Sequence, residues 1–291
     1  MRCDLHVHTI HSGMCTVPVL NRVCRESYND PHAVYETLKR RGMDVVTVTD
    51  HDSIDAAERL RRHADFFLSE EVSCRTSSDT ELHIGVYGLN ERDHIELQRR
   101  RTDFPALLAH LRERGLLFSV NHAFSSLTGR RKEADFREFA ACFPAAETRN
   151  GMLLRRANLF AARFARRNGL VKLGGSDSHT LTGLGRTFTE VPGARTPEEF
   201  LAGLRAGWSR VCGESGNYWK LTGDVLDIGF SMIRERPWTA LLAPLCAAVP
   251  LVTLGNMALE TAFAYKWGNR HAPRLRYTGA KGVPAAESLS L

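Results

Sequence analysis

Two strand-like segments far apart in the chain both stop at metal-binding residue types, and this limits the possible folds more than any other feature. The first is Asp4-Leu5-His6-Val7-His8-Thr9 and the second is Leu173-Gly174-Gly175-Ser176-Asp177-Ser178-His179. Short apolar runs that end in His and Asp are what a chain needs to hold divalent cations at one end of a set of strands. On a strand, His6 and His8 alternate with Leu5 and Val7, so both imidazoles point to the same side.

Short β-branched runs alternate with longer helical patterns, the signature of βα units around a mainly parallel sheet. The pattern predicts strands at 2–7, 44–49, 66–71, 82–87, 116–121, 145–148 and 171–175, and helices at 31–41, 53–62, 103–114, 152–168 and 196–206. Two helices carry clear start signals. Asp30 precedes a first-turn Pro31, and Thr196-Pro197-Glu198-Glu199 supplies a cap, a first-turn proline and acidic residues near the positive end of the helix dipole. Nearly every expected strand then delivers a ligand-type residue: His6 and His8 on the first, Asp50 and His51 on the second, Glu71 on the third, His83 within the fourth, His122 after the fifth, Glu147 on the sixth, Asp177 and His179 after the seventh. In a βα barrel the carboxyl ends of the strands meet on one face, where active sites are built. His32, His63, His94, His110 and His271 fall elsewhere and read as surface or helix residues. Imidazole and carboxylate donors without thiolates suit zinc, manganese or iron and argue against a Cys-based structural zinc.

Composition narrows the class. At 291 residues, 43% apolar and 25% charged, the chain is long enough for one barrel-sized globular unit plus an appendage. Its seven cysteines are odd in number and include no C-x-x-C pair, which excludes a zinc ribbon or disulfide framework and fits a reducing cytosol. The first apolar stretch already carries His6 and His8, unlike a signal peptide. The net charge of +6 resides partly in Arg99-Arg100-Arg101, Arg130-Arg131 and Arg155-Arg156. These runs read mainly as solvated helix faces, with a phosphate-bearing partner as the alternative. Aromatic residues do not interleave with arginine in a stacking platform, so nucleic acid enters as a substrate at most.

The motifs DLHVHT, VTVTDHDS, Glu71-Val72-Ser73 leading to His83, the apolar strand into Asn121-His122, Glu147 with Asn150-Gly151, and GGSDSHT jointly resemble the polymerase and histidinol phosphatase (PHP) superfamily over residues 2 to 190. The resemblance implies an α/β fold, a distorted (β/α)7 barrel of the PHP type, and hydrolysis of phosphate esters by two or three divalent ions of manganese, iron or zinc. It implies His6, His8, Glu71 and Asp177 around one ion, Glu71, His83 and His122 around a second, and His51 and His179 around a third, with Glu71 as the bridge. Glu147 sits where some members place a further metal ligand. Asp50 reads as a residue that orients an imidazole. One departure stands out. The family usually follows its first motif with Ser-Asp-Gly, whose Asp completes the third ion's ligands, whereas here Ser12-Gly13-Met14 offers none. Either His11, Glu26 or Asp30 substitutes, or the third site is weak or empty, and the weak site is the expectation favoured by sequence.

The activity so implied is a metal-dependent phosphoric ester hydrolase that attacks a small phosphomonoester, a nucleotide or an oligonucleotide end with a metal-activated hydroxide. His179 and His51 are the candidates for protonating the leaving group, and Arg149, Arg130 and Arg131 for holding the substrate phosphate. Two alternatives use the same frame: a non-catalytic binding or regulatory barrel, and a C–N hydrolase. The latter usually needs a carboxylated lysine, and Lys172 is the sole lysine in the ligand-bearing strands. After a hydrolase unit at 1–216, residues 217–268 read as a helical appendage and 269–291 as a flexible tail. Residues 237–259 carry no charge and are long enough to span a membrane, but Pro244, Pro250, Gly255 and Asn256 interrupt them, leaving packed helices or a dimer contact as the other reading. The expected location is the cytoplasm, with 237–259 as the segment able to attach the chain to the inner face of a membrane.

Overall fold

The computed structural model describes residues 1–273. In chain order its regular elements begin with β1 (Arg2–Cys3), α1 (Pro31–Arg40), α2 (Ala57–Leu60), β2 (Ser69–Arg75), β3 (Glu81–Tyr87), α3 (Glu91–Arg100), α4 (Phe104–Glu113), β4 (Leu117–Val120) and α5 (Glu133–Cys142). They continue with β5 (Ala145–Asn150), α6 (Arg155–Arg167), β6 (Val171–Gly175), β7 (Thr187–Glu190), α7 (Pro197–Arg205), β8 (Arg210–Gly213), α8 (Tyr218–Glu235) and α9 (Val249–His271). The expected helix starts hold. Asp30 accepts from the amides of His32 and Ala33 at the head of α1, and Thr196 accepts from Glu199 at the head of α7.

The result is a mixed α/β fold with no closed sheet among the described residues. One sheet has five strands in the order β2-β3-β4-β5-β6, and a second has three in the order β1-β7-β8. Neighbours β4, β5 and β6 are parallel, but β3 runs antiparallel to both β2 and β4. A tight turn causes this: only Thr76 to Thr80 separate β2 from β3, too few residues for a parallel crossover. The reversal matters for chemistry, because the start of β3, with His83, thereby lies beside the carboxyl ends of its neighbours.

The closed seven-stranded barrel expected from sequence is not formed as a continuous ladder. Segments 4–8 and 44–51 approach β6 and β2 only through single bridges, Val7 to Ser178, Val46 to Phe66 and His51 to Glu71. The physical reason lies in the buried polar side chains. The His6 amide donates to Asp4 Oδ1 (3.3 Å), that of Val7 to Thr49 Oγ1 (3.0 Å) and that of Thr9 to Asp50 Oδ1 (2.6 Å). Donors committed to side chains cannot build a ladder.

The main core lies between the larger sheet and its helices. Val72, Ile84, Val86, Phe118 and Val120 from the strands meet Leu97, Leu107, Leu111, Phe136, Phe139, Phe160 and Phe164 from the helices. On α6 the buried Ala157, Phe160, Ala161, Phe164 and Ala165 recur at helical spacing while Arg155, Arg156, Arg166 and Arg167 face solvent, a solvated arginine face as expected. Complete burial of each phenylalanine contributes about 1.5–3 kcal/mol.

Helices α8 and α9, joined by 3-10 turns over Pro237–Ala248, follow the sheets. The end of α9 belongs to the main core through Ala264 and Trp267, and it crosses α6 so closely that a Cβ on Gly268 would meet the Phe160 ring at 2.2 Å. Glu260 is buried at the same contact, accepting from Ser125 Oγ (2.6 Å) and the Ser126 amide (3.0 Å). Residues 237–271 form one stretch long and apolar enough to cross a membrane, by length and composition, and Trp238, Leu241, Leu251, Val252 and Leu259 are exposed along it. Of the expected tail, residues 269–271 complete α9, and 274–291 lie outside the described residues.

Candidate metal centre

Glu71, fully buried on β2, organises the cluster. Its Oε2 lies 3.1 Å from His6 Nε2, 3.3 Å from His51 Nδ1 and 3.6 Å from His8 Nε2. Its Oε1 lies 3.1 Å from His122 Nε2 and 3.7 Å from His83 Nδ1, and accepts from Asn121 Nδ2 at 2.8 Å. The two oxygens thus face two different sets of imidazoles. Asp177 Oδ1 stands 3.2 Å from His8 Nε2 and 3.3 Å from His6 Nε2, while Asn150 donates to its Oδ2 at 2.8 Å. His6, His8, His51, Glu71, His83, His122, Asp177 and His179 are therefore brought together, as the sequence led us to expect.

Buried partners fix which nitrogen of each ring carries hydrogen. Ser12 Oγ donates to the Asp50 carboxylate (2.6 Å), which can only accept, so at 2.9 Å it must receive a proton from His8 Nδ1. His8 Nε2 is left as a bare lone pair facing Asp177 and Glu71. Asp50 does orient an imidazole, that of His8, through Ser12. By the same logic His6 Nδ1 donates to Glu147 (2.7 Å) and His179 Nδ1 to the Asp177 carbonyl (3.1 Å), turning both Nε2 atoms toward carboxylates.

A lone pair aimed at a carboxylate in a buried site requires a cation between or a proton on the ring. His8 Nε2, His51 Nδ1, His83 Nδ1 and His179 Nε2 are buried without a hydrogen-bond partner. Burial opposes a charge on His6, yet Asp177, Glu71 and Glu147 outweigh it and raise its pKa well above the ordinary value. His51 is treated likewise by Glu71 and Glu26 and reaches about 9, whereas burial pushes His8 and His83 down to about 3. Four groupings, His6/His8/Glu71, His6/His122/Asp177, His51/Glu71/His83 and His8/His51/His179, bring their donor atoms within 4.8 Å of one another. Nitrogen and carboxylate donors at this spacing fit divalent zinc, manganese or iron. Backbone strain collects here too: His122 and Asp177 have φ of 33° and 52°, a left-handed conformation costing about 1–3 kcal/mol each.

Several sequence expectations need correction. Glu147 is not placed as a metal ligand: Oε1 takes the His6 Nδ1 proton, and Oε2 accepts from the His122 amide (3.0 Å) and Asn150 Nδ2 (3.0 Å), so it positions three parts of the site. Arg131 is buried and donates to Glu81 O (2.7 Å) and to Thr128. Arg149, displaced by the bulge between Glu147 and Arg149, donates to Gly213 O (2.7 Å). A main-chain carbonyl thus takes one nitrogen of each guanidinium, and Arg130 lines a cavity with Ser126, Phe263, Lys266 and Trp267. His51 and His179, expected as proton donors, each turn Nε2 toward Glu26 at 3.5 Å.

Sequence reasoning passed over three organisers. Asp4 accepts from the amides of His6 (3.3 Å), Ser176 (2.7 Å) and Gly185 (2.7 Å), sewing the first segment to β6 and the loop after it. Burial raises its pKa to about 6. Asn121 and Asn150 fix the two metal-type carboxylates. Asp4, Asn121 and Asn150 all lie inside quoted motifs, which is the available signal.

Fold and site together define an α/β protein with a buried imidazole–carboxylate cluster fitted to divalent cations. A family model described as PHP-associated matches residues 155–208, the stretch that carries α6, β6 and the turn from Asp177 to His179. The match overlaps the region whose motifs resemble the PHP superfamily. The uncharacterized protein MJ1587 of Methanocaldococcus jannaschii is 28% identical over 127 residues, 44% of this chain and 70% of that protein. PsfC from Pseudomonas syringae PB-5123 has a similar fold, with a TM-score of 0.56 at 17% identity over 78% of this chain and 97% of its own. A looser likeness, TM-score 0.48 at 17% identity, links 72% of this chain to 58% of the lesion-specific endonuclease PfuEndoQ from Pyrococcus furiosus.

Proposed function

We propose that the chain is a metal-dependent hydrolase of phosphate esters, acting on a small phosphomonoester, a nucleotide or an oligonucleotide end. The observation that carries this reading is Glu71, whose two oxygens each face a separate group of imidazole nitrogens, the placement of a carboxylate that bridges paired cations. The cluster would hold divalent ions, whose chemistry would be to polarise a phosphoryl oxygen and to make water acidic enough to ionise near neutral pH.

The chain's own residues supply aim and exclusion. His6, His8 and Asp177 present donors on the Oε2 side of Glu71, His83 and His122 on the Oε1 side. Glu147 and the Asp50–Ser12 pair hold the His6 and His8 rings by their Nδ1 protons, so that each Nε2 stays directed inward. His6, His8, Glu71 and His122 are sealed from solvent, whereas the side chains of His51, His83 and His179 are 14–18% exposed. Substrate therefore approaches from the side of these three rings, where cations held by the cluster would offset its negative charge. Lys172 is exposed near the start of β6, away from the ligand end, so the carboxylated-lysine chemistry of the C–N hydrolase alternative has no support.

The test is turnover of an aryl phosphate and of a panel including nucleoside 3′,5′-bisphosphates, phosphorylated sugars and short oligonucleotides. Manganese-loaded protein is expected to hydrolyse at least one of these, with loss of turnover in Glu71→Gln. Metal-loaded protein inert toward the whole panel contradicts the reading.

A further inference from the structure

The chain lacks an acidic residue at position 13, yet a carboxylate stands where one is missing. Residues 13–26 fold back on themselves: the Glu26 amide donates to Gly13 O (3.1 Å), the Cys15 amide donates to Cys24 O (3.0 Å), and Met14 and Arg25 form an antiparallel backbone bridge. This return places Glu26 directly across from Gly13. Its Oε2 then faces His51 Nε2 and its Oε1 faces His179 Nε2, both at 3.5 Å.

Those two distances are informative. A charge-assisted hydrogen bond between nitrogen and carboxylate settles at about 2.7–2.9 Å, so 3.5 Å is too long for one. His179 Nε2 has no hydrogen-bond partner although it is buried, and its proton sits on Nδ1. Two donors about 2.0–2.2 Å from one tetrahedral ion stand roughly 3.4 Å apart. Electrostatics agree: burial opposes ionisation of Glu26, but His179 and His51 outweigh it and hold the carboxyl well below its usual range.

The other candidates are placed differently. Asp30 caps α1 and accepts from Arg59 Nη1 (2.9 Å), and His11, whose Nδ1 lies 3.9 Å from Asp55, joins none of the donor groupings that contain His51 or His179. Gly13 itself has φ 89° and ψ −151°, a region open essentially to glycine alone, so with this backbone an aspartate there is disfavoured. We propose that Glu26 is the carboxylate ligand of a third divalent cation, held together with His51 and His179 at the open face of the cluster. The proposal rests on the metal-centre reading above and replaces the weak third site expected from sequence.

The experiment is metal content per chain by inductively coupled plasma mass spectrometry, after saturation of the full chain with Mn2+ and removal of free ion. The wild type is expected to hold three ions, and both Glu26→Gln and His179→Gln two, with circular dichroism confirming the fold of each. Having two independent variants keeps the test decisive should one of them fail to fold. A wild type with two ions overturns the proposal while the paired centre stands, and a Glu26→Gln variant that keeps three overturns the role of Glu26. A wild type that holds none removes the metal centre altogether, and the proposal with it.

Discussion

Gly175 is the position where a single methyl group should do the most damage to the site. It ends β6 against the first segment, and a Cβ built there would lie 2.3 Å from His6 N, 2.5 Å from His6 Cβ and 2.9 Å from His6 Cα. None of these atoms can rotate away, and ordinary contact begins near 3.4 Å, so Gly175→Ala must drive the two segments apart by about 1 Å. The hydrogen bond from the Asp177 amide to His6 O (2.7 Å) breaks over that distance. Overpacking costs about 1–3 kcal/mol and a buried amide left unpaired about 1–3 kcal/mol more. At roughly 2–4 °C per kcal/mol, Tm should fall by at least about 4 °C. Metal uptake should also fail, since such sites tolerate about 0.5 Å of displacement. The control is Gly255→Ala in α9, where nothing lies within 4 Å of the new Cβ and a gain of about 0.5–1 kcal/mol is expected. Differential scanning calorimetry with metal analysis reads both. A Gly175→Ala protein with wild-type Tm and full metal content refutes the close packing of β6 on His6.

Further outcomes follow from the same contacts. Glu147→Gln cannot accept all three protons that Glu147 now takes, and should weaken metal binding about 10–100-fold in a competition titration against a chromogenic chelator; unchanged affinity would show that the His6 ring needs no such partner. Protons and metal compete for the same imidazole nitrogens, so metal affinity should decline as pH falls and uptake should release protons, which calorimetry in two buffers of different ionisation enthalpy detects. Chelation should lower Tm and Mn2+ restore it, by about 2.7 kcal/mol of stability at a free concentration one hundred times Kd; a Tm indifferent to metal contradicts binding to the folded state.

The ligands were legible because they end strands: an apolar run stopping at His or Asp states both where the chain is buried and where it emerges at the site. His83 fits that logic only once β3 is reversed, and the reversal was hidden because β2 runs on to Arg75, past its expected end at 71, leaving only Thr76 to Thr80 as the link. Helix α3 escaped notice because it is strongly polar, burying chiefly Asp93 and Leu97, although Asn90 and Asp93 form a reciprocal cap at its start. Closure of the sheet was overestimated, since hydrophobic pattern does not reveal that Asp4, Thr49 and Asp50 take amides from the ladder. The arginine candidates show that nearness in sequence to a ligand says nothing of direction: a bulge lies beside Arg149, which donates to Gly213 O, and Arg131 donates to Glu81 O. Glu26 lies outside every strand, and its register opposite Gly13 depends on a turn that periodicity does not encode.

The most direct test is an anomalous-difference map from crystals of the full chain soaked in Mn2+. Density peaks are expected on both sides of the Glu71 carboxylate, one beside His6, His8 and Asp177 and the other beside His83 and His122, with a further peak between Glu26, His51 and His179. A map with the side chains ordered and no peak against Glu71 contradicts the account.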